Sequence, residues 1–251
     1  MKTWKETTWF SGEKLLMERE KLENWKIGLT GEALLYGLLG KALYEELDKN
    51  WLDSLIGDDV FAEIPFGEGQ PEVQQGLELL RRWTDENRKG ISEEEFKALK
   101  KDQLYLFIGT DHVLAPVWES VYFSEKRLVF QEQTLQVREW YSRFGLQPER
   151  LYREPDDHIG LEMSFVAHLA TMASQAAEAQ DEQILEETLK AQRGFLAEHL
   201  LRWGPAWARL VKKHAKTDFY RGLAHLTDGA LISAAEFLQV EMPKEVRFES
   251  A

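Results

Sequence analysis

Along most of this chain hydrophobic side chains recur at intervals of three and four, the period of one face of an α-helix. Over residues 31–52 the apolar positions are Leu34, Leu35, Leu38, Leu39, Ala42, Leu43 and Leu47, which predict a helix. Ser92-Glu93-Glu94-Glu95 has the form of a capping box, in which serine oxygen and Glu95 carboxylate each accept the other residue's amide. It predicts a helix through Leu106. Ser124 predicts the cap of another, carrying Leu128, Leu135, Val137, Trp140, Tyr141 and Phe144, with Gly145 as its stop. Pro155, whose missing amide costs nothing in a first turn, predicts the start of a long helix towards Ala179. Helices over 182–203, 205–214 and 218–239 complete the series, with Gly204-Pro205 dividing the first two.

Strand signals are weak. Val121-Tyr122-Phe123 and Leu128-Val129-Phe130 are short and have no hairpin turn chemistry between them. The expected fold is therefore all-α, a single compact bundle of about ten helices. Residues 56–71, with Gly57, Gly67 and Gly69, and residues 109–120, with Pro116, read as loops. They allow an N-terminal lobe over 1–110 and a C-terminal lobe over 120–240. Neither loop has a flexible linker's composition, so one domain over 1–251 is the expectation.

Composition narrows the chemistry. With 44 acidic and 31 basic residues, the net charge of −13 argues against a nucleic-acid binder, which must neutralise phosphates. The absence of cysteine excludes disulfides, zinc–thiolate sites, iron–sulfur ligation and thiol catalysis. Residues 1–26 interleave charges with tryptophan and leucine, unlike a secretion signal. The uncharged run from Met163 to Ala177 is too short and too polar to span a bilayer. The expectation is a cytoplasmic protein without membrane insertion. Its acidity is concentrated: Glu149 to Lys190 holds ten acids against three bases, and Asp58 to Glu78 holds six acids and no base.

Three blocks carry candidate chemistry. In Glu154-Pro155-Asp156-Asp157-His158, carboxylates sit where a helix start stabilises negative charge. A protonated histidine is disfavoured there, so His158 is expected neutral or paired with Asp157 or Glu162. The block reads either as first-turn acids or as a polar recognition site at an exposed helix start. A metal-dependent hydrolase using Asp157, His158 and Glu162 is the alternative, weakened by the lack of an HExxH pairing. In Pro116-Val117-Trp118-Glu119-Ser120-Val121-Tyr122, two aromatics flank a carboxylate and a hydroxyl. This suits peptide binding, and equally suits packing of Trp118 and Tyr122 between helices. In the third block Phe195, His199 and Trp203 lie four residues apart on one helix stripe, and read as core.

In this order the blocks resemble the TorD/DmsD family of redox-enzyme maturation chaperones. Residues 154–158 are similar to its E-P-x-D-H motif, 116–122 to its P-x-W-E-S-V-Y segment, and Phe195-Leu196…His199-Leu200…Trp203 to its F-L-x-x-H-L-x-x-W motif. Leu34-Leu35-Tyr36-Gly37-Leu38-Leu39 also suits the family. Gly109-Thr110-Asp111-His112 departs from it, and the extension with Trp4, Trp9 and Trp25 is unmatched. The resemblance implies a non-enzymatic chaperone, with no catalytic residues, metal or cofactor of its own. Its partners would be the twin-arginine leader and catalytic subunit of a molybdoenzyme, and its state monomer or homodimer. Guanine-nucleotide binding occurs among some relatives, but no G-x-x-x-x-G-K-[ST] loop is present here. Two guanidinium groups ahead of an apolar stretch call for carboxylates beside apolar surface. Glu119, Glu154, Asp156 and Asp157 are the candidate carboxylates, and Trp118, Tyr122 and Leu161 their apolar neighbours. Ser120, Pro155 and His158 complete the expected peptide-binding set.

Overall fold

The computed structural model describes residues 4–109, 113–148, 154–244, 246 and 248, with side chains from residue 20 onward. Thr110, Asp111, His112, Glu149, Arg150 and Arg153, and the side chains of Trp4 and Trp9, lie outside the described residues. Among those described there are ten α-helices and no strand. They are α1 (Trp4–Tyr44), α2 (Lys49–Gly57), α3 (Pro71–Glu86), α4 (Glu93–Gln103) and α5 (Glu119–Phe123), then α6 (Glu132–Arg143), α7 (Ile159–Ala179), α8 (Glu182–Phe195), α9 (Leu201–His214) and α10 (Asp218–Leu238). Two wide π-turns, Leu104–Ile108 and Leu196–Leu200, prolong α4 and link α8 to α9. No described helix is long and apolar enough to cross a membrane.

Several helix boundaries differ from the periodic reading, each for a local reason. The run over 31–52 divides because Asp48 accepts the amide of Trp51 at 2.8 Å and starts α2 afresh. Half of the capping box forms: Ser92 Oγ accepts from Glu95 N at 3.0 Å, while the Glu95 carboxylate turns to Trp83 Nε1 at 2.9 Å. Ser124 closes α5 instead of opening the next helix, and α6 waits until Glu132. Between them Arg127 and Phe130 hold left-handed φ values of 54° and 57°, which a right-handed helix cannot include. Gly145 does stop α6, with φ 69°. Pro205 lies inside α9 rather than between helices. The hydrogen bond it removes is offset by burial of Trp203, Ala206 and Trp207 on the adjoining turns.

The main packing is α1 against α7 and α3 against α10, with α8 on α7 and α9 on α10. Each principal crossing closes over a pair of glycines. A β-carbon at Gly160 would lie 2.8 Å from Gly40 O and 2.7 Å from Tyr44 Cβ, and one at Gly76 would lie 2.9 Å from Gly222 O. The α1–α7 approach sets the start of α7, and with it the 154–158 motif, against the end of α1. Gly160→Ala is therefore expected to destabilise the protein by about 1–3 kcal/mol, since the obstacle is backbone that cannot rotate away. Gly57→Ala, with nothing within 4 Å of its β-carbon, should be near neutral in the same denaturant titration. Equal effects of the two substitutions would refute the close-approach account.

Candidate functional site

The three blocks meet in one buried polar junction. Glu119 N donates to Asp157 O at 2.9 Å and Ile159 N to Val117 O at 2.8 Å, a single antiparallel bridge pairing Trp118 with His158. The bridge sets the starts of α5 and α7 side by side. Asp157 then caps α5 from outside: Oδ2 accepts from Ser120 N at 2.7 Å, and Oδ1 from Thr134 Oγ1 at 2.7 Å. Its charge faces the positive end of that short helix. Asp156 accepts a fork from Arg138, through Nε and one terminal nitrogen, both at 2.8 Å. Tyr141 donates its hydroxyl to the Asp156 carbonyl at 3.2 Å. Thr134, Arg138 and Tyr141 stand at positions i, i+4 and i+7, so one face of α6 holds the Asp156-Asp157 dipeptide.

His158 is itself the N-cap of α7, which begins at Ile159, so Pro155 lies outside the helix rather than in its first turn. The ring Nδ1 accepts the Gly160 amide at 3.1 Å, which assigns the proton to Nε2. Burial pushes the imidazole pKa down to about 3, which favours the neutral ring over the alternative of pairing with Asp157 or Glu162. Tyr44 and Trp118 pack edge-on to it, with centroids at 5.2 and 6.1 Å. Glu154 Oε1, 4.0 Å from Nε2, is beyond hydrogen-bond reach.

The third block supplies polar partners as well as core. Through the π-turn, His199 Nδ1 meets Glu119 Oε2 at 2.8 Å, and Trp203 Nε1 donates to Glu162 Oε2 at 3.2 Å. Burial, reinforced by the negative charges of Glu119 and Asp157, holds the Glu162 carboxyl well above the usual carboxylate range. Burial also raises that of Glu119, against the opposing pull of His199. Glu119 Oε1, Ser120 Oγ, Glu162 Oε1 and Trp118 Nε1 have no hydrogen-bond partner among the described residues.

The exposed recognition site expected at this helix start is therefore corrected. Glu119, Ser120, Tyr122, Pro155, Asp156, Asp157 and His158 are all buried, because the second block and the α6 face close over the first. Trp118, Glu154 and Leu161 remain half-buried at the edge. Tyr122 donates to Pro116 O at 2.9 Å and packs on Trp203, 5.1 Å between centroids. Asp157, His158 and Glu162 are each committed to helix ends or to Trp203. Among the described residues no group of three or more His, Asp or Glu side chains is arranged to hold a metal. A groove of about 500 Å³ between α6 and the second π-turn, lined by Gln136, Glu139, Trp140, Arg143, Glu198 and Arg202, reaches the junction at His199. Sequence reading missed Thr134, Arg138 and Tyr141; their i, i+4, i+7 spacing was the available signal.

Comparison with known proteins points the same way as the motifs. The family described as nitrate reductase delta subunit matches residues 68–209, which contain all three blocks. The chaperone protein TorD of Vibrio cholerae is 32% identical over 155 residues, 62% of this chain and 66% of that protein. The probable Tat proofreading chaperone DmsD of Haemophilus influenzae is 27% identical over 215 residues, 85% of this chain and 95% of that protein. TorD of Photobacterium profundum is 26% identical over 194 residues, 77% and 88% of the two chains. With a family match over more than half its length, and named chaperones among its relatives, the chain belongs to the TorD/DmsD family of redox-enzyme maturation chaperones.

Proposed function

We propose that this protein is a cytoplasmic chaperone for a molybdenum-cofactor oxidoreductase subunit. It binds that subunit's twin-arginine leader, assists cofactor insertion and delays export meanwhile. The observation that carries this reading is the convergence of the three motif blocks, inside the family match, on one junction of carboxylates and aromatics. The printed name of the Haemophilus relative, a Tat proofreading chaperone, agrees with it. Since most of the junction is buried, its role is to fix the relative positions of α5, α6 and α7. Trp118, Glu154 and Leu161 at its edge are the members left to touch a leader directly.

Titration calorimetry with a synthetic twin-arginine leader tests this. Replacing both arginines by alanine is expected to weaken binding by at least about tenfold, a loss of ~1.4 kcal/mol, and raised salt should weaken the native leader. Equal affinity for the two leaders would sink the electrostatic recognition.

A further inference from the structure

The first π-turn carries an apolar tip that the bundle leaves uncovered. Gly109 N closes it on Leu104 O at 2.8 Å. The turn buries Leu106 and Phe107, while Leu104, Tyr105 and Ile108 are 47%, 46% and 63% exposed. Three of the ten large exposed hydrophobic residues among those described thus fall within five positions. The charge around them runs against the rest of the chain, whose net value is −13. Lys97, Lys100 and Lys101 are exposed on the preceding turns of α4, and Lys213 and Lys216 where α9 gives way to α10. Lys216 Nζ stands 5.7 Å from the centre of the Tyr105 ring, which brings the two lysine groups to one surface. The acids nearby are mostly engaged. Asp102 is buried, its carboxylate taken by the Lys216 and Thr217 amides and the Thr217 hydroxyl. Asp218 pairs with Arg82 at 2.6 Å, and Glu95 accepts from Trp83. Glu86 is the other acid on the cavity beside Tyr105. Glu93 and Glu94 stand at the opposite end of α4, roughly 15 Å along its axis. Helix dipoles account for lysines in the last turns of α4 and α9, but not for the apolar tip between them.

We propose that this tip is a peripheral membrane-contact surface: Leu104, Tyr105 and Ile108 enter the headgroup region of an anionic bilayer, and the five lysines meet its lipid phosphates. It goes beyond the leader-binding reading and uses none of the junction residues. The three side chains project from a single turn, a shape that suits entry into a deformable interface. A tyrosine places its ring among acyl chains and its hydroxyl among headgroups, and lysine stems do the same with an ammonium at the tip. The strongly acidic remainder of the chain is repelled by an anionic bilayer, so this face alone approaches it. No described helix can cross the membrane, so contact is peripheral. Its strength comes from a small buried apolar area plus lysine attraction, which makes it reversible and salt-sensitive.

Flotation of the full chain with vesicles of phosphatidylcholine and about one third phosphatidylglycerol tests this. Binding is expected at about 20 mM salt, to fall at least about fivefold by about 300 mM, and to be absent with phosphatidylcholine alone. Leu104→Ser with Ile108→Ser, and separately Lys100→Glu with Lys101→Glu, should each weaken vesicle partitioning at least about tenfold. All four positions are exposed, so thermal midpoints should stay within about 2 °C of wild type. Leu135→Ser, on α6 and equally exposed, should partition like wild type. No flotation at low salt, flotation unchanged by either pair, or an equal loss in Leu135→Ser overturns the surface. Retention on immobilised poly-L-glutamate without vesicle binding would assign the lysines to an acidic protein partner, and the membrane assignment would fail.

Discussion

Replacing Glu32 by glutamine is expected to stabilise this protein by on the order of 3 kcal/mol at pH 7. Glu32 lies on α1, completely buried, with the amide of Gln192 from α8 beside it. Neither its two oxygens nor the Gln192 amide atoms reach hydrogen-bond geometry with any described residue. Burial, only partly opposed by Gln192, raises its pKa from 4.5 to about 8, so the folded state holds the proton near neutrality. An unfolded chain releases that proton above about 4.5. The group's stabilising effect is therefore complete below about 4.5 and is lost as pH rises towards 8. Glutamine has the shape of the protonated acid and no ionisation. Thermal melts of wild type and Glu32→Gln should coincide in trend below pH 5 and diverge steadily to pH 8, the variant being higher. Parallel profiles across that range would show that Glu32 is solvated in the folded protein. Glu162 is also raised by burial and contributes to the same decline in both proteins, so the difference between them isolates Glu32.

Asp157→Ala is expected to have the largest destabilising effect of any single change at the junction, about 3–5 kcal/mol. Both carboxylate oxygens are engaged, by Ser120 N and Thr134 Oγ1, and removing them leaves a buried amide and hydroxyl unpaired where α5 and α6 meet α7. At this chain length that corresponds to a midpoint lowered by roughly 10 °C. Asp157→Asn, which keeps one acceptor, should fall between alanine and wild type in a denaturant titration. If alanine unfolded no more easily than wild type, Asp157 would be freely solvated and available as a contact for partners. The structure instead makes it the clasp between two motif blocks, and its loss should impair maturation by way of folding.

How much of this was readable from residues alone varies with the kind of interaction. Helical class follows from spacing, because burial of a stripe needs only side chains three and four apart. Helix ends followed less well. Pro71, read as the end of a loop, opens α3, whereas Ser92 and Gly145 act locally and behave as their chemistry predicts. Ser124, Pro155 and Pro205 do not, since the left-handed turns at Arg127 and Phe130, the His158 cap and the Trp203–Trp207 burial outweigh their local preference. The acidic segment around the motif also changes meaning. Asp156, Asp157 and Glu162 are buried, Asp156 on Arg138 and Asp157 on Ser120 and Thr134, while Glu178, Asp181, Glu182, Glu186 and Glu187 stay exposed on the helix surface.

From sequence alone came the all-helical class, the three motif blocks and the family resemblance, all of which depend on residue type and near-neighbour spacing. Only the tertiary structure decided that the blocks interlock: Glu119 with His199, Asp157 with Ser120 and Thr134, and Asp156 with Arg138. Those partners are 80, 37, 23 and 18 residues apart. Whether a carboxylate faces water or a buried donor depends on which helices cross over it. The Gly40–Gly160 approach, and the burial it imposes on the start of α7, settles that through contacts that no local pattern contains.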